Sequence, residues 1–109
     1  MDRKEMNRKA MGAARKYVEL RGYDVVDEDG KFIAWFEFDE FVVCKVRAQA
    51  SGLPTSKLHR SDYERAMPSF LLNLDSADFS VRFDCIDMHI ISDERAIIRH
   101  NIGIQNDMA

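Results

Sequence analysis

Two cations, Lys45 and Arg47, stand two residues apart in the apolar stretch 40–49. Side chains alternate across a β-strand, so this spacing places both cations on one face. Ammonium and guanidinium groups are side chains that bind phosphate oxygens. The pair is therefore the first candidate site, and contact with a phosphate is one interpretation of it. The alternative for Lys45 is an ordinary strand lysine at the rim of a sheet.

A second set of cations lies in the first predicted helix. Its bases recur at intervals of seven residues, which predicts a row that suits the backbone of a nucleic-acid duplex. The polar face of an amphipathic helix explains the same pattern without any ligand. The candidate nucleic-acid-binding residues of this helix are Arg8, Lys9, Arg15 and Lys16.

Charge is segregated along the chain, although the net charge is only −3. Residues 1–22 and 41–60 each carry a balance of +4, whereas residues 23–40 carry −6 and residues 61–109 carry −5. Segregation of this kind creates a local basic surface on an acidic protein. The overall balance excludes the strongly basic class of general polyanion binders.

The elements that must position these residues follow from the spacing of apolar side chains. Helical spacing ends at Gly22, where a left-handed cap is expected. Pro68 predicts a kink or break in a second helix, and residues 105–109 are expected to fray. The predicted elements are a helix at 3–21, strands at 23–27, 31–38 and 41–48, a helix from 56 or 57 to about 73, and strands at 81–91 and 96–102.

Length and composition predict one compact domain spanning residues 1–109. No apolar run approaches the length of a membrane span, so no membrane partner is expected. The N-terminus, 1–8, is charged and lacks the apolar core of a signal peptide, which favours a cytoplasmic location. Cys44 and Cys85 have no CxxC spacing or histidine partner and are expected to be small buried apolar residues.

Three local motifs, in their order and spacing, resemble the YraN-like endonuclease family. That family has the restriction-endonuclease-like, PD-(D/E)xK fold, and the resemblance covers nearly the full chain. It implies an α/β fold in the order αβββαββ, with a central mixed sheet flanked by helices. The residues that carry it are Ala14, Tyr17-Val18 and Gly22-Tyr23, then Phe41 to Arg47, then Val81-Arg82-Phe83-Asp84 followed by Arg99-His100-Asn101.

The acids of such a nuclease site are replaced in this sequence. In PD-(D/E)xK nucleases, an acid two residues before a lysine binds a divalent metal that activates the attacking water. The resemblance places Lys45 on the lysine, as a vestigial catalytic residue, and Val43 on the acid. Two further acid positions fall on Met11 and Lys31, with Asp29 as a displaced candidate. Because a hard divalent ion needs carboxylate oxygens, the resemblance implies a degenerate site without metal ligands.

Two aspartates and two histidines of the later strands offer weaker candidates. Asp84 and Asp87 have odd relative spacing, so they are expected on opposite faces of their strand and not as a metal pair. His89 and His100 are single histidines on strands. Packing or a surface hydrogen bond is expected of each.

Three functions remain open. The leading hypothesis is a catalytically degenerate nuclease-fold protein without a cofactor. It would bind DNA or RNA weakly through Lys45, Arg47 and the first helix, or act as a protein-interaction module. The second hypothesis is an active nuclease that uses Mg²⁺ or Mn²⁺ with relocated ligands, either Asp29 or the acidic hairpin 37–40 beside Lys45. The third is a homo-oligomeric protein, such as a homodimer, with the aromatic hairpin 32–41 as its interface.

Overall fold

The computed structural model describes residues 1–72, 74 and 79–108, so Asn73, where the second helix was predicted to end, and Ala109 lie outside the described residues. The order αβββαββ is as predicted. The elements are α1 (Arg3–Leu20), β1 (Val25–Asp29), β2 (Phe32–Glu37), β3 (Glu40–Gln49), α2 (Arg60–Leu71), β4 (Ser80–Ser92), β5 (Arg95–Asn101) and a short 3-10 helix (Gln105–Asp107).

The five strands form one mixed sheet in the order β1-β2-β3-β4-β5. Neighbouring strands are antiparallel except for β3 and β4, which run parallel. Parallel neighbours need a crossover connection, and α2 lies in that connection. The predicted α/β class, with a mixed sheet and two helices, is confirmed.

The first face of the sheet, termed the α1 face, is covered by α1. Alternation along the strands sends Val42 of β3 and Ile86 of β4 to this side. The helix presents small or β-branched residues at helical spacing, namely Ala10, Ala14 and Val18, and all three are buried there. Small side chains let the helix lie close to the sheet, so the apolar stripe of α1 determines its position.

The opposite face, termed the α2 face, is covered by α2 and is richer in aromatic side chains. Tyr63 of α2 stacks on Phe83 of β4 with ring centroids 4.8 Å apart. Phe41 and Val43 of β3 have no exposed surface and belong to the same apolar cluster. The two helices therefore lie on opposite faces of the sheet.

The second helix differs from its prediction at its start and continues through its proline. It begins at Arg60, because the backbone of the preceding His59 is extended, with φ of −118° and ψ of 127°. Pro68 lies inside α2 without breaking it, and Leu72 N–H still donates to the Pro68 carbonyl at 3.2 Å. The helix is therefore not broken at Pro68, and a kink there stays a prediction.

The C-terminal segment is docked on the sheet, whereas the sequence predicted fraying. The Gln105 side chain donates to the Val81 carbonyl at 3.1 Å and accepts from Phe83 N–H at 3.1 Å. These two bonds satisfy backbone groups of β4 that lie beyond the end of β5. The prediction of a frayed end is therefore wrong for this segment.

The two cysteines are buried free thiols, as predicted. Cys44 and Cys85 point to opposite faces, because Cys44 shares the α1 face with Val42. Burial raises the pKa of the Cys85 thiol to about 12, and the nearby Asp87 carboxylate adds to this shift. Neither helix of the described residues is long and apolar enough to span a bilayer.

Two glycines give a matched test of the α1 assignment. Gly22 follows the helix with φ of 94°, while Gly12 lies on the exposed side of the helix interior. Alanine at Gly22 should lower the free energy of unfolding by about 1 kcal/mol, because a Cβ is strained at positive φ. Alanine at Gly12 should raise it by roughly 0.5–1 kcal/mol through helix propensity.

Urea denaturation of the two variants measures both effects. Opposite signs are expected, and a Gly22→Ala variant as stable as the wild type would contradict the left-handed cap.

Candidate functional site

A basic groove lies where β3 ends, beside the first turn of α1 and the loop at residues 50–56. Its volume is about 500 Å³. Among the residues that the structure describes, no acidic side chain lines it. The cations that line the basic groove are Arg3, Lys31, Lys45 and Arg47.

Three separate segments build the basic groove. Lys45 and Arg47 alternate with the buried Val46 on β3, which puts both on the α2 side as the spacing predicts. Val46 N–H donates to the Lys31 carbonyl at 2.8 Å, so the chain that enters β2 runs beside this end of β3. Arg3 is the first residue of α1 and is exposed. Because the segments are distant in sequence, no local motif predicts that Arg3 and Lys31 join the pair.

Arg47 is held rigidly at the wall of the basic groove. Its Nε and Nη2 donate to the two carboxylate oxygens of Asp87 at 2.7 and 3.1 Å, and Nη1 donates to Ser56 Oγ at 3.0 Å. Burial lowers the pKa of the Arg47 guanidinium, but the hydrogen bonds to Asp87 outweigh it and leave this pKa raised. The side chain is 13% exposed, so Arg47 shapes the groove as well as charging it.

Lys45 is tethered to α2. Its Nζ lies 3.2 Å from Asp62 Oδ2, and the two side chains are 20% and 26% exposed. Asp62 also pairs with Arg65. The hydrogen bond from Lys45 lowers the pKa of the Asp62 carboxyl. Lys45 therefore shares its charge with an acid behind the groove, whereas Arg3 and Lys31 are exposed to solvent.

Two of the four basic residues of α1 that were predicted to bind nucleic acid form ion pairs with acidic residues of the sheet and its turns. Lys9 pairs with Asp93 in the turn between β4 and β5. Arg15 Nε lies 2.7 Å from Glu28 Oε1 on β1. These ion pairs attach α1 to two different edges of the sheet, so the row of bases does not form one continuous surface.

The other two basic residues predicted on α1 also lie away from Lys45 and Arg47 of β3. Arg8 and Lys16 are exposed and, within the described part of the chain, form no ion pair. Neither lines the basic groove with Lys45. The contribution of α1 is Arg3 instead, a residue that the helical spacing did not single out.

The positions that the resemblance assigns to metal-binding acids hold other kinds of residue. Val43 is fully buried beside Tyr63 and Phe41, Met11 packs against the α1-face cluster, and Lys31 lines the basic groove. A carboxylate at Val43 would enter an apolar layer, where its charged form is costly. In the described residues, no three His, Cys, Asp or Glu side chains lie close enough to hold one metal ion.

Asp29, the displaced acid candidate, does lie near Lys45. Asp29 and Asp62 line a shallow depression of about 380 Å³ together with Lys45. Asp29 Oδ2 accepts a hydrogen bond from Ser69 Oγ at 2.6 Å. Two carboxylates and Lys45 therefore share the surface of this depression.

The acids of the β2–β3 hairpin lie too far from Lys45 to act with it. Glu37 pairs with Glu40 at the closed end of the hairpin, whereas Phe32 pairs with Lys45 near the open end. Five residues of strand separate these ends, which is roughly 17 Å. Both glutamates instead accept hydrogen bonds from Arg82. The prediction that these acids lie beside Lys45 is therefore wrong, because the hairpin register separates them.

Asp84 is a fully buried carboxylate on the α1 face. Arg82 Nε and Nη2 donate to its two oxygens, both at 2.9 Å, and Gly103 N–H donates at 3.0 Å. His100 Nε2 lies 2.7 Å from Oδ2. Burial raises the pKa of the Asp84 carboxyl, but the hydrogen bonds from His100 and Arg82 outweigh it, so the pKa lies below its ordinary value.

His100 extends this network to α1, which the sequence did not indicate. Its Nδ1 lies 2.9 Å from Tyr17 Oη and 2.8 Å from Arg21 Nη1. The histidine was expected only to pack or make a surface hydrogen bond. Tyr17, Asp84 and His100 all belong to the motifs that carry the family resemblance. This shared membership was the sequence signal that could have indicated their contact. Arg21 had no such signal.

Asp87 is the second buried carboxylate, and it lies on the α2 face as the odd spacing predicts. Besides Arg47, it accepts from Arg99 Nη2 at 3.1 Å and from Asn101 Nδ2 at 3.4 Å. Arg99 also donates to the Pro54 carbonyl at 3.1 Å. Burial raises the pKa of the Asp87 carboxyl, but the arginine hydrogen bonds lower it overall. Asp87 thus fixes the loop that borders the basic groove.

The aromatic hairpin is mostly core. Trp35 and Phe41 are 1% and 0% exposed, and Phe36 packs its ring on Phe41 with centroids 5.0 Å apart. Phe38 alone among these four is exposed, at 93%, in a turn with φ of 57°. An oligomer interface made of the hairpin aromatics would therefore have one exposed ring, because the sheet buries the others within its own chain.

Comparison with family models and with curated proteins finds no match to this sequence. The resemblance of its motifs to the YraN-like family therefore stays a prediction. Function is inferred from the arrangement of the chain's own residues, above all the cations of the basic groove and the two buried carboxylates.

The buried carboxylates make stability depend on pH. An unfolded aspartate has a pKa of about 3.9, whereas the pKa values of Asp84 and Asp87 are lowered in the folded protein. Below about pH 4 the unfolded chain binds more protons, so the free energy of unfolding should fall as pH drops through the folded pKa values. Urea denaturation between pH 7 and pH 2.5 measures this loss.

Asparagine at Asp84 tests the assignment. It should lower the free energy of unfolding at pH 7 by about 3 kcal/mol, because Arg82 and His100 lose a buried ionic partner. The acid dependence should also become shallower. Asp24→Asn, at an exposed position, is the matched control and should change neither quantity. Equal stability of the two variants would contradict a structural role for Asp84.

Proposed function

We propose that this protein binds the phosphate backbone of DNA or RNA in its basic groove and does not cleave it. The observation that carries this proposal is the set of four cations that lines the groove with no acidic residue among its described lining. Nucleic-acid backbones are the common biological ligands with regularly repeated phosphates, and cationic grooves bind them through charge.

The cations of the groove divide into two kinds. Arg47 is fixed by Asp87 and Ser56, so it offers a preoriented charge that loses little side-chain entropy on binding. Arg3 and Lys31 are exposed and free to follow a phosphate. Four cations are able to release about four counterions at most, which predicts weak and strongly salt-dependent binding.

The absence of cleavage is the second half of the proposal. A PD-(D/E)xK site requires an acid two residues before its lysine. Val43 holds that position before Lys45, and its apolar environment disfavours a charged carboxylate. The order αβββαββ and the parallel pair of β3 and β4 agree with a restriction-endonuclease-like fold. On this basis the chain is a degenerate nuclease-fold protein that retains a phosphate-binding surface.

Glutamine at Lys31 should weaken binding of a labelled 20-nucleotide oligomer by roughly threefold to tenfold. It should also reduce the slope of log affinity against log salt by about 0.9 for duplex DNA and about 0.7 for single strands, because one phosphate contact is lost. Fluorescence anisotropy of single-stranded and duplex DNA and RNA over a salt series measures both values.

Lys16→Gln is the matched control, because it removes the same charge from an exposed lysine outside the groove. It should leave the affinity within about twofold, since charges beyond a Debye length are screened. Equal effects of the two variants would mean that net charge, and not the groove, binds the nucleic acid.

Asparagine at Asp62 should strengthen the same binding. The change releases Lys45 from its ion pair and removes a negative charge behind the groove. The affinity should rise about twofold to fivefold, with a steeper salt slope. Glu64→Gln removes one charge from an exposed position of the same helix and should have little effect. An unchanged affinity in the Asp62 variant would show that Lys45 does not contact phosphate.

A metal-dependent nuclease remains the second candidate, and the depression lined by Asp29, Asp62 and Lys45 favours it. Two carboxylates beside a lysine are the minimum from which a divalent-metal site could be completed by water and phosphate oxygens. This candidate requires saturable Mn²⁺ binding that is lost in an Asp29→Asn, Asp62→Asn double variant. Isothermal titration with Mn²⁺ therefore separates it from the proposed non-cleaving function.

A further inference from the structure

The hydroxyl of Tyr17 contacts a histidine that is itself held by a buried carboxylate. Tyr17 Oη lies 2.9 Å from His100 Nδ1, and His100 Nε2 lies 2.7 Å from Asp84 Oδ2. Arg21 Nη1 lies 3.2 Å from the same Tyr17 oxygen. These residues lie on the α1 side of the sheet and play no part in the phosphate binding proposed for the basic groove.

The positions of the protons follow from the partners. Asp84 accepts from Arg82 and Gly103, and its lowered pKa keeps it ionised, so it acts as an acceptor toward His100. His100 Nε2 therefore carries a hydrogen, and Nδ1 is the ring nitrogen that accepts hydrogen bonds. Arg21, a donor only, also points at Nδ1 from 2.8 Å. The lone pair of His100 Nδ1 thus faces both the Tyr17 hydroxyl and the Arg21 guanidinium.

An oxygen nucleophile, a base in hydrogen-bonding contact and a third group that orients the base are the parts of an activated nucleophile. Tyr17, His100 and Asp84 supply these parts in that order. We propose that Tyr17 is a nucleophilic tyrosine that accepts a phosphoryl group from a phosphorus electrophile. His100 acts as the general base, and Asp84 is a positioning residue.

Arg21 indicates the chemical class of the electrophile. Its guanidinium carbon lies 5.5 Å from the Tyr17 ring centroid and 6.0 Å from that of Tyr23, and the side chain is exposed. Within the described residues, Arg21 forms no ion pair with a carboxylate. A guanidinium beside the attacking oxygen stabilises the negative charge of transferring phosphoryl oxygens.

Space for such a reactant adjoins the tyrosine. Tyr17 lines a groove of about 320 Å³ between α1 and the β4–β5 hairpin. Lys16 and Arg95 lie on the same groove with the acids Asp93 and Glu94, and its apolar lining includes Ile90 and Ile98. A phosphate ester with an apolar leaving group therefore matches the apolar part of this lining.

The transfer balances without any further reactant. The Tyr17 oxygen forms a bond to phosphorus as its proton passes to His100 Nδ1. The bond from phosphorus to the leaving group breaks, and the leaving group takes the electron pair. With a fluorophosphonate, the leaving group is fluoride and the product is a phosphonylated Tyr17.

A fluorophosphonate probe therefore tests the proposal directly. The full-length protein is incubated with the probe at pH 8, and adducts are located by peptide mass spectrometry over time. Tyr23 is the internal control, because it is also partly buried and also close to Arg21. Tyr17 should be labelled at least tenfold faster than Tyr23, and His100→Gln should slow Tyr17 by about a hundredfold, the scale of general-base catalysis.

Arg21→Gln keeps the test valid if the buried histidine variant does not fold, because Arg21 is exposed. It should slow the labelling of Tyr17 at least threefold relative to Tyr23 while circular dichroism stays that of the wild type. A merely structural contact between α1 and the sheet would give equal labelling of Tyr17 and Tyr23 in every folded variant. Equal labelling in the wild type would overturn the proposal.

Discussion

The structure depends on the burial of two carboxylates on one central strand. Asp84 and Asp87 of β4 have no exposed surface and point to opposite faces of the sheet. A buried charge is tolerated only with partners that replace its hydration. Each aspartate therefore requires its own hydrogen-bond donors, Arg82 with His100 on the α1 face and Arg47 with Arg99 on the α2 face.

These partners connect the core to the surface. On the α1 face, His100 contacts Asp84 through one ring nitrogen and Tyr17 of α1 through the other. This polar network therefore also fixes the helix relative to the strands. On the α2 face, the arginines bound to Asp87 reach the carbonyls of Pro54 and Ser56 and hold the loop that borders the basic groove. The partners that Asp84 and Asp87 require for burial thus also position the residues at Tyr17 and in the basic groove.

Local patterns predicted the order of the elements, the alternation of Lys45 with buried neighbours and the opposite faces of Asp84 and Asp87, because these depend on helical and strand periodicity alone. Side-chain contacts between distant segments were not predictable in this way. Gln105 docks on backbone groups that only the end of β5 leaves free. Arg3 joins the groove through the packing of α1, and hairpin register separates its acids from Lys45. Each of these outcomes is set by tertiary geometry, which spacing along the chain does not encode.

Binding of nucleic acid without cleavage is tested most directly by incubating labelled single-stranded, duplex and branched DNA and RNA with the protein in Mg²⁺ or Mn²⁺. Anisotropy and denaturing gels are read from the same samples. We predict salt-dependent complexes and intact strands at every protein concentration. Metal-dependent cutting by the wild type that disappears in Lys45→Ala would contradict this function, because it would place an active metal site beside Lys45.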